Sequence, residues 1–365
     1  MKRLIPLLVL LLLVTSCKKS SNTTDFIREK NFGNGIAFFI ASTADSGLVA
    51  CGRSEDKPLL IRLDHSFSPV LEITDEEQGL FSSAWFDTSG YIAGGNTAGN
   101  ILLARYSRSG KELWKKTIDA GYYISLTRIF YTGSGNLLAV CSDDPDSVNT
   151  GATGLYFIRF DTTGNILDTQ NIASPSFMAA GNAAVDSNGD IFMALTIKAG
   201  DAKPIAAVAR YNGQFQMLWE TDLYNNPEFS AAGRYVLLDS YGNVYVTGNT
   251  ELPTSQGNLS NTFVVSLDKN GNIRENWKKY PEESNQGTAL LFDETGNILV
   301  LNRNCFIVNV LGPDDGTDID RIRMFNLCSP DDTDAFGKDF ALSGSNILVA
   351  GSLGGNFFVS LKSTE

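Results

Sequence analysis

One histidine and five cysteines in 365 residues leave this chain short of the side chains that most often do chemistry. His65 stands alone in the turn-like stretch RLDHSFSP, so a Ser-His-Asp or Cys-His arrangement would have one exposed candidate base. No cluster of His and Cys has zinc-ligand spacing, and no glycine-rich loop opens a helix as a phosphate cradle does. Charge is scarce too, at 19% of residues against 43% apolar, which excludes a disordered or long-helical chain. Positive charge is scarcest: 29 Lys and Arg face 41 Asp and Glu, for a net charge of −12. Removal of Lys2 and Arg3 with the leader described below would bring it near −14 (−12 − 2). Such a surface repels phosphate backbones and anionic headgroups, which argues against nucleic acid as a partner. Cations and basic protein patches stay open as ligands.

The one long hydrophobic run is at the start. In MKRLIPLLVLLLLVTSC, Lys2 and Arg3 form a positive n-region and Leu4 to Val14 an apolar stretch too short to span a bilayer comfortably. The ending VTSC resembles the bacterial lipobox. That resemblance implies removal of residues 1–16, lipidation of Cys17, and a polar tether over residues 17–24. Several acyl chains would hold the protein on a membrane by hydrocarbon burial. Lys18 and Lys19 follow where a sorting signal of either known kind would be acidic, so the reading leans to the periplasmic face of the outer membrane.

What is abundant is glycine, 34 residues of it, and it recurs in a phrase. LDSYGNVYVTG near Gly242 is echoed by TADSGLVACG near Gly47, FDTSGYIAGGN near Gly90, YTGSGNLLAV near Gly135, VDSNGDIFMAL near Gly189, FDETGNILVLN near Gly296 and LSGSNILVAG near Ser345. Each copy joins a strand end, a polar turn with a residue fit for positive φ, and an apolar strand. Between them lies a second hairpin phrase, such as ARYSRSGKELWKK and VSLDKNGNIRENWKK. Two hairpins per period of about 43 to 54 residues predict four-stranded blades, and seven periods predict a seven-bladed β-propeller over residues 25–365. The last period stops after three strands, while DFIREKNF at the other end reads as a fourth. The N-terminal strand is therefore expected to close the ring.

These phrases resemble bacterial propeller repeats of the D-x-x-G-N-v-y-v-t-G kind and, more loosely, the quinoprotein-like propellers. By that resemblance Trp114, Trp219 and Trp277 pack between neighbouring blades. The adjacent cysteine pair of the quinone-dependent alcohol dehydrogenases is missing, and no Glu/Asn/Asp set for calcium with a quinone can be assigned. DSNGD (Asp186 to Asp190) and DDGTDID (Asp314 to Asp320) lack the full spacing of a calcium loop and read as turn formers. Cys305 and Cys328 flank the blade-six hairpin and are a candidate disulfide in an oxidising compartment. Cys51 and Cys141 read as small buried hydrophobes.

The repeated turns should lie on one face of the disc and the irregular connections on the other, where binding is expected. Acidic residues gather in those connections: Asp75, Glu76 and Glu77; Asp143, Asp144 and Asp146; Glu282 and Glu283; Asp331, Asp332 and Asp334. They form a candidate surface for a cation or a basic partner. The reading is of a monomeric, membrane-anchored binding or scaffolding lipoprotein of the bacterial envelope, with another envelope protein or a glycan as partner. No cofactor, metal or catalytic residue is assigned. The competing class is a propeller enzyme, either glycan-active through paired carboxylates or a quinone-dependent dehydrogenase.

Overall fold

The computed structural model describes residues 27–120, 124–133, 135–143, 154–254, 257–283, 285–324 and 335–363, and every element in them is a strand. Blade one holds the second half of β1 (Ile27–Ser42), then β2 (Leu48–Ser54), β3 (Lys57–Leu63) and β4 (Pro69–Thr74). Blade two is β5 (Gly79–Asp87), β6 (Gly90–Thr97), β7 (Asn100–Ser107) and β8 (Glu112–Ile118). Blade three is β9 (Ile124–Gly133), β10 (Asn136–Asp143), β11 (Leu155–Asp161) and β12 (Ile166–Ile172). Blade four is β13 (Phe177–Val185), β14 (Ile191–Lys198), β15 (Ile205–Tyr211) and β16 (Met217–Tyr224). Blade five is β17 (Ser230–Leu238), β18 (Val244–Thr254), β19 (Gly257–Leu267) and β20 (Ile273–Glu283). Blade six is β21 (Gly287–Phe292), β22 (Ile298–Asn302), β23 (Ile307–Leu311) and β24 (Asp318–Arg323). Blade seven is β25 (Ala335–Ser343), β26 (Asn346–Leu353), β27 (Asn356–Ser363) and the first half of β1.

The shared strand closes the ring as the sequence predicts. Ile27 to Asn34 pair with β27, and Gly35 to Ser42 pair with β2, so blades one and seven form one seven-stranded sheet. The other five blades are separate antiparallel four-stranded sheets. Full closure leaves only short edges exposed.

The repeated aspartate explains itself in the turns. Asp239 Oδ1 accepts from the amides of Tyr241 (2.9 Å) and Asn243 (2.8 Å), which fixes the turn between β17 and β18. Asp161, Asp268 and Asp293 repeat the same pair of bonds two and four residues on. The motif's last glycine has a different cause. A Cβ at Gly248 would collide with the carbonyl oxygen of Ala232 on the neighbouring inner strand.

Seven hydrophobic clusters fill the seven interfaces between neighbouring blades. Each fully buried aliphatic or phenyl group there contributes about 1.5–3 kcal/mol. Trp114 packs on Phe160 and Gly164 of the next blade and donates its indole N–H to the Thr162 carbonyl. Trp277 is fully buried and makes the same kind of bond to Asp314 across to blade six. Trp219 packs on the cluster between blades four and five and lies against Gly271, so all three tryptophans serve packing. Cys51 and Cys141 are free and buried, and burial pushes both thiols up. Cys305 is disulfide-bonded; Cys328, its expected partner, lies outside the described residues.

Candidate functional site

Every inner strand carries a β-bulge at the same height. The ladder slips past one residue in each: Phe38, Ser82, Thr127, Gly181, Arg234, Thr288 and Lys338. A bulge re-aims its extra residue, and all seven of these line the central channel. The slip leaves a cavity of about 240 Å³ opening on the face of irregular connections.

The chemistry of that cavity is opposite in sign to the protein around it. Arg128, Arg234, Arg303 and Lys338 line it from four blades, against one carboxylate, Asp339. Arg128 Nη1 lies 3.3 Å from Asp339 Oδ2, joining blade three to blade seven across the channel. Asp339 also accepts from the amides of Ile40 and Phe340. Burial raises its carboxyl above the usual range, while Arg128 and these amides pull it back down. Burial likewise pushes the Tyr235 phenol up to about 12, so it stays neutral beside Asn182 and Arg128.

The other cations touch amide and aromatic groups. Arg303 bonds Gln286 at 3.2 Å and stacks over Phe336, and the Lys338 ammonium lies over Phe38. Arg234 donates to Asn249 (3.3 Å), whose amide in turn reaches Glu251 (3.1 Å) behind the channel wall. Arg234, Arg303 and Lys338 thus stand around the Arg128–Asp339 pair in the channel lining. Low-dielectric walls concentrate their field at the opening.

The residues singled out from sequence fall elsewhere. Asp143 is buried, and its carboxylate is committed to the amides of Met178 (2.8 Å) and Gly154 (3.1 Å), so it ties a connection into blade four and is withheld from a partner. Asp75 is also buried and shares Lys115 with Glu77. Cys17, Asp144, Asp146, Cys328, Asp331, Asp332 and Asp334 lie outside the described residues, as do the side chains of Glu282 and Glu283. His65 is exposed in its turn, and Asp186 and Asp190 bracket Arg210 in ion pairs at 3.7 and 2.7 Å. Sequence reasoning did not find the channel cations. The available signal is a glycine directly before a cation in an inner strand, Gly233-Arg234 and Gly337-Lys338, where the apolar alternation slips by one.

No protein-family model matches this chain, and no curated protein matches it in sequence. Solved structures do. The virginiamycin B lyase of Staphylococcus aureus superposes with a TM-score of 0.63 at 8% identity, covering 93% of this chain and 100% of that one. YCF48 bound to D1 peptide gives 0.60 at 11% identity, over 93% and 95%. The Cps50 (Swd1) propeller domain of Myceliophteria thermophila gives 0.58 at 9%, over 93% and 100%. The fold is a seven-bladed β-propeller. At these identities the likeness is one of fold alone, and a propeller hosts enzymes and binding modules alike.

Proposed function

We propose that this propeller is a monomeric binding module of the bacterial cell envelope, anchored through a lipid on Cys17 at the periplasmic face of the outer membrane. Its channel mouth receives an acidic segment of a partner protein. The observation that carries this reading is the ring of Arg128, Arg234, Arg303 and Lys338 around one carboxylate, inside a chain of net charge −12. The acidic exterior repels an extended polyanion, while the narrow basic opening admits a single carboxylate-bearing peptide. The fold suits peptide binding, since YCF48, a propeller of similar shape, is known bound to a peptide. Cys305 and Cys328 are read as one envelope disulfide on the same account. The glycan-active alternative needs two carboxylates at the channel, and the described lining supplies only Asp339.

The test is calorimetric titration of residues 18–365 with tetraglutamate and with tetralysine. Binding of tetraglutamate alone is expected, weakening with salt, and weakening at least tenfold, about 1.4 kcal/mol, in Arg234→Gln/Lys338→Gln. Preference for tetralysine, or equal binding by the variant, refutes the channel reading. Metabolic labelling with palmitate, lost in Cys17→Ser, tests the anchor separately.

A further inference from the structure

At six of the seven interfaces, the turn between the third and fourth strands of one blade reaches over the blade before it. Gly110 lies against Leu71, Gly164 against Trp114, Gly271 against Trp219 and Gly316 against Trp277. In blade four the same place is taken by Phe215, stacked on Phe157 with ring centroids 4.6 Å apart. In blade one it is taken by Phe67, buried in the cluster shared with blade seven. Both phenylalanines sit at positive φ, 64° and 62°, a conformation held there by the contact each ring makes.

The interface between blades six and seven has no such turn, because the fourth strand of blade seven is β1. Asp320, paired with Val310, stands where Trp114 pairs with Arg105 and Trp219 with Arg210. A groove of about 370 Å³ is left open. Leu299, Val310, Leu342 and Ile347 floor it, Ile319 is 56% exposed at its lip, and Asp293 and Glu294 stand on its rim.

We propose that the segment leading into β1 fills this groove, with Phe26 as its apolar anchor. β1 enters at Ile27, paired with Lys362 at the turn-face end of β27. The residues just before Ile27 therefore hold the place in the chain that the missing turn holds in other blades. Phe26 stands just ahead of its fourth strand, as Phe67 of DHSF and Phe215 of NGQF, the two turns that use phenylalanine, stand ahead of theirs. Charge agrees, since the rim is acidic and the tether carries Lys18 and Lys19. Phe26 follows Lys19 by seven positions, about 25 Å at full stretch, enough to cross the groove mouth. One consequence rests on the lipid-anchor reading: a tether leaving along the turn face would point the channel mouth away from the bilayer.

The test is disulfide trapping in the full chain in detergent. Phe26→Cys/Ile319→Cys is compared with Phe26→Cys/Tyr241→Cys, Tyr241 being 85% exposed on a turn of the same face. Mild oxidation should form the intramolecular bond at least tenfold faster in the first pair, and Phe26→Ser should increase hydrogen exchange at Ile319 and Ile322. Equal rates in the two pairs, unchanged exchange, or bonds mainly between two molecules would overturn the proposal. Palmitate labelling of the chain with native Cys17 separates the two readings. Fast trapping in the first pair with no palmitate incorporated sinks the anchor and keeps the groove, whereas incorporated palmitate with equal trapping rates does the reverse.

Discussion

Replacing Arg128 by methionine keeps most of its packing against Phe39, whose ring lies 4.7 Å below the guanidinium, and removes the charge. Asp339 is then left buried with two backbone amides and no cation. Losing one partner of a buried pair costs about 3–5 kcal/mol, because the remaining charge stays desolvated. At about 2.1 cal/mol/K per residue over roughly 340 residues, this lowers Tm by about 4–7 °C. The double variant Arg128→Met/Asp339→Asn should recover most of that loss, since no buried charge remains. The pH dependence has a definite sign. Burial raises the Asp339 carboxyl in the folded state, so the folded chain favours its protonated form and loses stability as pH rises through the folded value. Removing Arg128 raises that value further, and the deficit should be larger at pH 8 than at pH 5. Calorimetric melting of the three proteins at both pH values checks it. An Arg128→Met protein within 1 °C of the parent at pH 8 (~1 °C being the resolution of such a melt), or a double variant no better than the single, would refute the reasoning.

Three further outcomes follow from the fold. Gly248→Ala should destabilise by about 1–3 kcal/mol or more, because backbone must move to clear the Ala232 carbonyl, whereas Ala at Gly189, whose added Cβ meets open space, costs mainly its positive φ; denaturant melts compare the two. Trp277→Ala should cost about 3–5 kcal/mol from cavity formation and loss of the bond to Asp314, read in the same assay. Hydrogen bonds from turn hydroxyls, amides and side chains hold Asp64, Asp161, Asp268 and Asp315 below the usual carboxylate range, Asp161 at about 2. A folded value below the unfolded one gives stability that is complete above about pH 4 and lost as pH falls towards 2. Acid unfolding followed by circular dichroism should lie in that window and move to higher pH in Asp161→Asn.

The architecture was legible because it is written locally. A polar turn and a β-rich run make one hairpin corner, four of them with an aspartate three residues before a glycine, and seven such corners at similar spacing make the blade count. The ring closure was legible for the same reason, since β1 reads as a spare fourth strand beside a blade that lacks one. The channel was not legible. Its cations come from four blades, and no single stretch contains two of them close together. What gathers them is a bulge in each inner strand, which shifts Arg234 and Lys338 into the channel without changing the local composition. Asp143 misled for the complementary reason: its neighbours in sequence are acidic and loop-like, but its own carboxylate is spent on two backbone amides inside the fold.

The most direct test of the basic channel is anomalous diffraction from crystals of residues 18–365 soaked in iodide and, separately, in rubidium. The account predicts an iodide peak within the ring formed by Arg128, Arg234, Arg303 and Lys338 and no rubidium there. Rubidium in the channel, or iodide bound only elsewhere on the surface, would contradict it.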